Sequence, residues 1–135
     1  MILPYLLTGF VTLAALLLYF AICFRVGYLR GKLRIDPPAI DGPVVFLRAR
    51  GVHANTLEQL VLFLPALWLF ALTMGDRIAA LLGLVWLIAR AGYALVYYRD
   101  PTKRIPLFMI GVLATLALLL GSLIGLLLVA RVAWA

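Results

Sequence analysis

The residues best equipped for chemistry lie between positions 48 and 65, RARGVHANTLEQLVLFLP, a segment that starts cationic and ends apolar. On an α-helix, Arg48 and Asn55 differ by only about 20° around the axis, and Glu58 lies within about 80° of Arg48. A guanidinium, an amide and a carboxylate thus share one broad side, with Gln59 close to Asn55 and Arg50 turned away. Arg90, Tyr93 and Tyr97 form a second polar stripe at spacings of three and four. Arg104 would lie near that face if the helical phase carried through Asp100-Pro101. Together with Arg30, these groups offer cations for carboxylates, an amide for a peptide backbone and phenols for hydrogen bonds. That set suits a small anionic peptide held against an apolar bundle.

Other chemistries have no motif. The chain contains no GxxxxGK[ST], HExxH, CxxC or GxSxG pattern, so nucleotide, zinc and serine-hydrolase readings are unsupported. His53 is the one histidine and Cys23 the one cysteine. No metal site is expected; His53 reads as a helix-end polar residue and Cys23 as a buried structural thiol.

The elements that must position these groups are membrane spans. Of 135 residues, 67% are hydrophobic and 13% charged, and mean hydropathy is +1.16. A soluble domain of this size cannot hide so much apolar surface. Met1 to Phe24 is uncharged and long enough to cross a bilayer, and reads as a retained span rather than a signal peptide. Asp36-Pro37-Pro38 should stop this helix beyond a basic projecting end, and a second should run from Val45 or Phe46 to about Thr73. Gly75-Asp76 is so short a connector that helices two and three should be antiparallel neighbours. Helix three is expected from about Arg77 to Tyr98, and helix four from Ile105 to Ala130. The expected fold is all-α: one integral membrane four-helix bundle over residues 1–135. Gly121 and Gly125 supply one GxxxG for close helix packing.

The first loop and its flanks carry six basic residues and the third carries three, against Arg77 alone in the second. The positive-inside rule places loops one and three in the cytoplasm. Depth suggests a further contact. Glu58 lies ten residues inside Arg48 and Arg90 nine inside Arg99, so both sit about 13–15 Å from the same basic side. An ion pair between them, within one chain or between subunits, would answer two costly burials.

Across nearly the whole chain, these residues resemble the membrane-associated proteins in eicosanoid and glutathione metabolism (MAPEG). The resemblance is carried by Arg30, the Pro37-Pro38 and Gly42-Pro43 turns, Arg48 to Pro65 with Asn55 and Glu58, and Gly92-Tyr93 through Tyr97 to Arg104. It implies a homotrimer with glutathione, as co-substrate, bound between neighbouring subunits toward the cytoplasmic side. Arg30, Asn55, Glu58, Tyr93 and Tyr97 match tripeptide-binding positions, and Arg104 matches the arginine that stabilises the glutathione thiolate. A guanidinium that keeps its proton favours an ionised thiol, which is the nucleophile. Two positions depart from the leukotriene synthase pattern: Gly51 replaces another arginine and Gln59 a tyrosine. Either Arg48 takes over the carboxylate or glutathione binds differently.

The expected function is a membrane glutathione transferase, a glutathione-dependent peroxidase, or both. Its second partner would be a lipophilic electrophile or lipid hydroperoxide arriving from the bilayer, and nucleic acid is not an expected partner. The competing reading is a non-catalytic lipid- or glutathione-binding scaffold of the same fold. A small multidrug exporter would need a carboxylate in its first helix, and Met1 to Phe24 has none. Compact length without eukaryotic targeting signals favours a bacterial inner membrane, with the endoplasmic reticulum second.

Overall fold

A computed structural model describes residues 4–134, so the expected span start at Met1 and chain end at Ala135 lie outside the described residues. Four long helices follow one another: α1 (Leu6–Leu33), α2 (Val44–Met74), α3 (Asp76–Arg99) and α4 (Ile105–Ala133). A single 3-10 turn at Pro101–Lys103 joins α3 to α4. All four helices are long and apolar enough to cross a membrane. Large apolar side chains such as Phe10, Leu17, Phe20, Phe24, Val61 and Leu127 cover the outside. A patch of that extent is covered by lipid or by protein, not by water.

α2 and α3 form a central antiparallel pair, and α1 and α4 each pack against both. At its heart the Phe63 and Trp86 rings stack at 3.9 Å and an interplanar angle of 5°. Leu67 and Leu118 are completely buried beside them. Gly121 and Gly125 face this pair: a Cβ on Gly121 would collide with Phe70, and one on Gly125 with Thr73. The GxxxG is therefore occupied inside the subunit, bringing α4 onto α2. Ser122, between the two glycines, donates to Ala66 O at 3.2 Å as well as to Leu118 O at 2.7 Å.

The helix ends refine the expected boundaries. α1 ends before the proline pair, because Arg34 adopts a left-handed conformation (φ 55°, ψ 47°). Ile35 N then bonds back to Arg30 O at 3.0 Å, a Schellman-type closure that satisfies a terminal carbonyl. Pro43 directly precedes α2 and, with its fixed φ and missing donor, suits a helix start. Pro65 sits inside α2 without ending it. At the opposite end of the bundle, Asp76 accepts from Leu7 N at 3.1 Å and Thr8 N at 2.8 Å. It thereby caps α1, whose preceding residue, Tyr5, provides no side-chain cap.

Candidate ligand-binding site

The basic ends of α2 and α3 are joined by Arg48, whose Nη1 donates to Tyr98 O at 3.2 Å and Arg99 O at 2.7 Å. These carbonyls belong to the last turn of α3, where helices leave acceptors unfilled and where a cation also meets the negative end of the helix dipole. Arg30 and Arg50 hold the first loop: Arg30 Nη1 donates to Ala39 O at 2.9 Å, and Arg50 Nη1 to Ile40 O at 2.7 Å. Arg30 also lies 5.0 Å from the Phe46 ring centroid.

A cavity of about 380 Å³ opens between α2, α3 and α4, lined by Asn55, Tyr93, Arg104, Ile105, Phe108 and Met109. Its polar groups come from three elements. Asn55 reaches it from α2 and Tyr93 from α3. Arg104 overhangs it from the junction with α4, its Nη1 donating to Pro101 O at 2.7 Å and its guanidinium 5.5 Å from the Tyr97 ring centroid. Tyr93 and Tyr97 lie 5.6 Å apart in a tilted arrangement, and Phe108 packs 6.1 Å from Tyr93. Asn55, Tyr93 and Arg104 therefore meet at one cavity, with Tyr97 behind Arg104. Arg30 and Arg48 stand outside its lining and are engaged with backbone carbonyls.

The anticipated Glu58–Arg90 ion pair is not formed within the subunit. Arg90 is 1% exposed, and its Nη1 donates to Asn55 Oδ1 at 2.8 Å. Tyr93, Trp86 and Phe108 surround its guanidinium at 4.6, 5.5 and 5.9 Å, placing the cation near three electron-rich faces. Glu58 instead lies exposed on α2 beside Leu57 and near Val61 and Leu62. Matched depth placed the two charges at one level, but Arg90 turns into the bundle while Glu58 turns out of it. Among the described residues the one ion pair is Lys103–Asp100, at 3.7 Å.

Gly51 is filled from across the bundle. A Cβ there would lie 2.7 Å from Tyr97 Oη and 3.1 Å from its Cζ, so a larger residue at position 51 requires the phenol to move. Tyr97 thus occupies space that an arginine would need, and Arg48 is anchored elsewhere. His53 contacts Tyr19 rather than the cavity, with Nε2 3.0 Å from the phenol oxygen and the rings stacked at 5.4 Å. Cys23 is half-buried on α1.

Two contributors were not singled out from sequence. Trp86 extends the Arg90–Tyr93–Tyr97 stripe by four residues toward the core, and Phe108 lies four beyond Arg104. Helical spacing from known polar positions would have found both.

The MAPEG family model matches residues 8–124. The chain is a member of the MAPEG family. An uncharacterised protein of Synechocystis sp. is 44% identical over 117 residues, covering 87% of this chain and 85% of the relative. Microsomal glutathione S-transferase 2 of Mus musculus is 38% identical over 103 residues, or 75% and 69% of the two chains. Leukotriene C4 synthase of Mus musculus is 32% identical over 132 residues, or 92% and 88%. As a MAPEG protein with four helices long and apolar enough to cross a membrane, this is an integral membrane protein.

Proposed function

We propose that this MAPEG protein binds glutathione at the Asn55–Tyr93–Arg104 cavity and uses its thiolate against lipophilic electrophiles or lipid hydroperoxides. The observation that carries the reading is the convergence of an exposed guanidinium, an amide and a phenol on one cavity at the basic end of a membrane bundle. Two of the relatives are a glutathione S-transferase and a leukotriene C4 synthase. Arg104 is the catalytic residue: it stays protonated and favours the ionised sulfur over the thiol. In conjugation, sulfur forms a bond to the electrophilic carbon as the leaving group departs or a strained ring opens. In peroxide reduction, sulfur attacks the terminal oxygen, the O–O bond breaks, and the alkoxide leaves and takes a proton to become the alcohol. A second glutathione thiol then attacks the resulting sulfenic acid, forming the disulfide as water leaves.

Asn55, Tyr93 and Tyr97 hold the tripeptide, and Arg30, Arg48 and Glu58 complete the site from the rim. An ionised Glu58 facing lipid is costly, so its outward position favours a neighbouring copy that, with the ligand's ammonium group, covers it; the family resemblance makes that assembly a homotrimer. Loops one and three face the cytoplasm, and the membrane is a bacterial inner membrane.

One observation favours a second reading. Because Tyr97 fills the space at Gly51 and Arg48 is committed to α3, the site offers fewer free cations than its residue types suggest. A scaffold that binds glutathione or lipid without turnover would show this.

The deciding measurement is ultraviolet difference absorbance on adding glutathione to the purified protein, titrated with pH for the native chain and Arg104→Ala. The native protein should show bound thiolate at neutral pH. Arg104→Ala should still bind but ionise the thiol only at higher pH, with turnover falling by about 10²–10³-fold. Native-like ionisation in Arg104→Ala would remove Arg104 from this role. Binding without thiolate in the native protein would select the scaffold.

A further inference from the structure

A furrow of about 360 Å³ opens between α1 and α3 and shares no lining residue with the candidate site. Its α1 wall runs from Leu18 to Arg25 and its α3 wall from Ala91 to Tyr98, each stepping by three and four residues. The helices run in the same direction, so the two walls form matching stripes about 10 Å long. Ala21, Ala91 and Ala94 make the trough shallow-walled and apolar.

Only one end is polar. There the exposed Arg25 guanidinium lies 4.1 Å from the Tyr98 ring centroid. No carboxylate pairs with Arg25 among the described residues. An unpaired cation thus closes the basic end of an apolar channel that points along the membrane normal.

We propose that this furrow holds one acyl chain of an anionic phospholipid, with the phosphodiester at Arg25. Hydrocarbon gains little by leaving other hydrocarbon, so the trough supplies fit and the headgroup supplies selectivity. A phosphodiester with no balancing ammonium leaves a full negative charge for Arg25. One basic residue at a membrane surface favours such a lipid over a zwitterionic one on the order of fivefold. The site is independent of glutathione binding, so either can fail without the other.

Thermal unfolding of the full-length protein in a neutral detergent tests this, with added phosphatidylglycerol, phosphatidylcholine or inorganic phosphate. Phosphatidylglycerol should raise Tm with an apparent affinity about fivefold tighter than phosphatidylcholine. Arg25→Gln should bring the two lipids level, and Arg25→Lys should keep the preference. Ala21→Leu, which fills the trough, should weaken phosphatidylglycerol binding while leaving Arg25 in place. Equal lipid preference in the native protein and Arg25→Gln overturns the proposal. So does an Ala21→Leu protein with native affinity, since the chain then lies elsewhere. A shift reproduced by inorganic phosphate alone would make Arg25 an adventitious anion site only. Should Arg25→Gln fail to fold, the Arg25→Lys and Ala21→Leu arms still decide.

Discussion

Arg90 directs a full positive charge at a neutral amide. By donating to Asn55 Oδ1, it fixes which way that amide faces and leaves Nδ2 as the donor available to a ligand. The group that meets Asn55 is therefore an acceptor, such as a peptide carbonyl or carboxylate. A hydrogen bond to a charged partner contributes about 1.5–3 kcal/mol. Arg90→Met and Asn55→Ala should each lower stability by that order, while the double mutant loses less than the sum. Glu58→Gln with Arg90→Met should be additive, because the two side chains do not meet within the chain. Thermal unfolding of all the variants in detergent checks both statements, and additive Arg90–Asn55 losses would deny the coupling. Helical spacing brought Asn55 and the Arg90–Tyr93–Tyr97 stripe into view, and Asn55 and Tyr93 do meet at one cavity. It also set Arg48 and Glu58 on the side of Asn55, whereas Arg48 bonds to α3 carbonyls and Glu58 turns outward. The partner of Arg90 was not legible. Rise per residue fixes depth, but how far each helix is rotated toward its neighbours depends on packing among all four.

Among the elements, the 3-10 turn matters most to the site because it leads directly into Arg104. Asp100 organises it, accepting from Thr102 Oγ1 at 2.6 Å and Thr102 N at 3.1 Å. The Thr102 hydroxyl and amide, with Lys103 nearby, hold the Asp100 carboxyl below the usual carboxylate range. A lowered folded-state value means that its stabilisation is present above the unfolded-state pKa of about 3.9 and fades as pH falls through the folded-state value. The protection factor of the Thr102 amide, exchange measured against its intrinsic rate, should fall over that acidic window, and Asp100→Asn should flatten its pH dependence. The α2–α4 seam is a separate case. Gly121→Ala should cost about 1–3 kcal/mol through overpacking against Phe70. Because that glycine faces α2 of its own chain, melting should shift while the size captured by crosslinking stays that of the unsubstituted protein. A changed crosslinked size for a stably folded variant would contradict this. GxxxG spacing announced a close approach but not its partner. The first helix ends just ahead of Asp36-Pro37-Pro38, as expected, but the closing residue was not legible: Arg34 in a left-handed conformation ends it.

For the whole molecule, charge distribution and helix order carry the topology. Loops one and three share an end, as shown by Arg48 of α2 reaching the last carbonyls of α3, and this end gathers most of the basic residues. Single cysteines at Asp41 and Arg77 in a Cys23-free background should report opposite sides in intact cells. An impermeant reagent should label the Arg77 site and spare the Asp41 site, and the reverse pattern would invert the orientation. Arg77 is the better probe at that end because Asp76 is occupied with Leu7 N and Thr8 N. That occupation also sets an order of events during synthesis. The carboxylate lies 68 residues downstream of Thr8, so it reaches the translocation machinery only after two complete spans have been made. Until then the leading end of the first span has its amides unmet by this acceptor. The nascent chain thus receives its first-helix cap only when the third span begins to enter, and a chain truncated before Asp76 would never receive it.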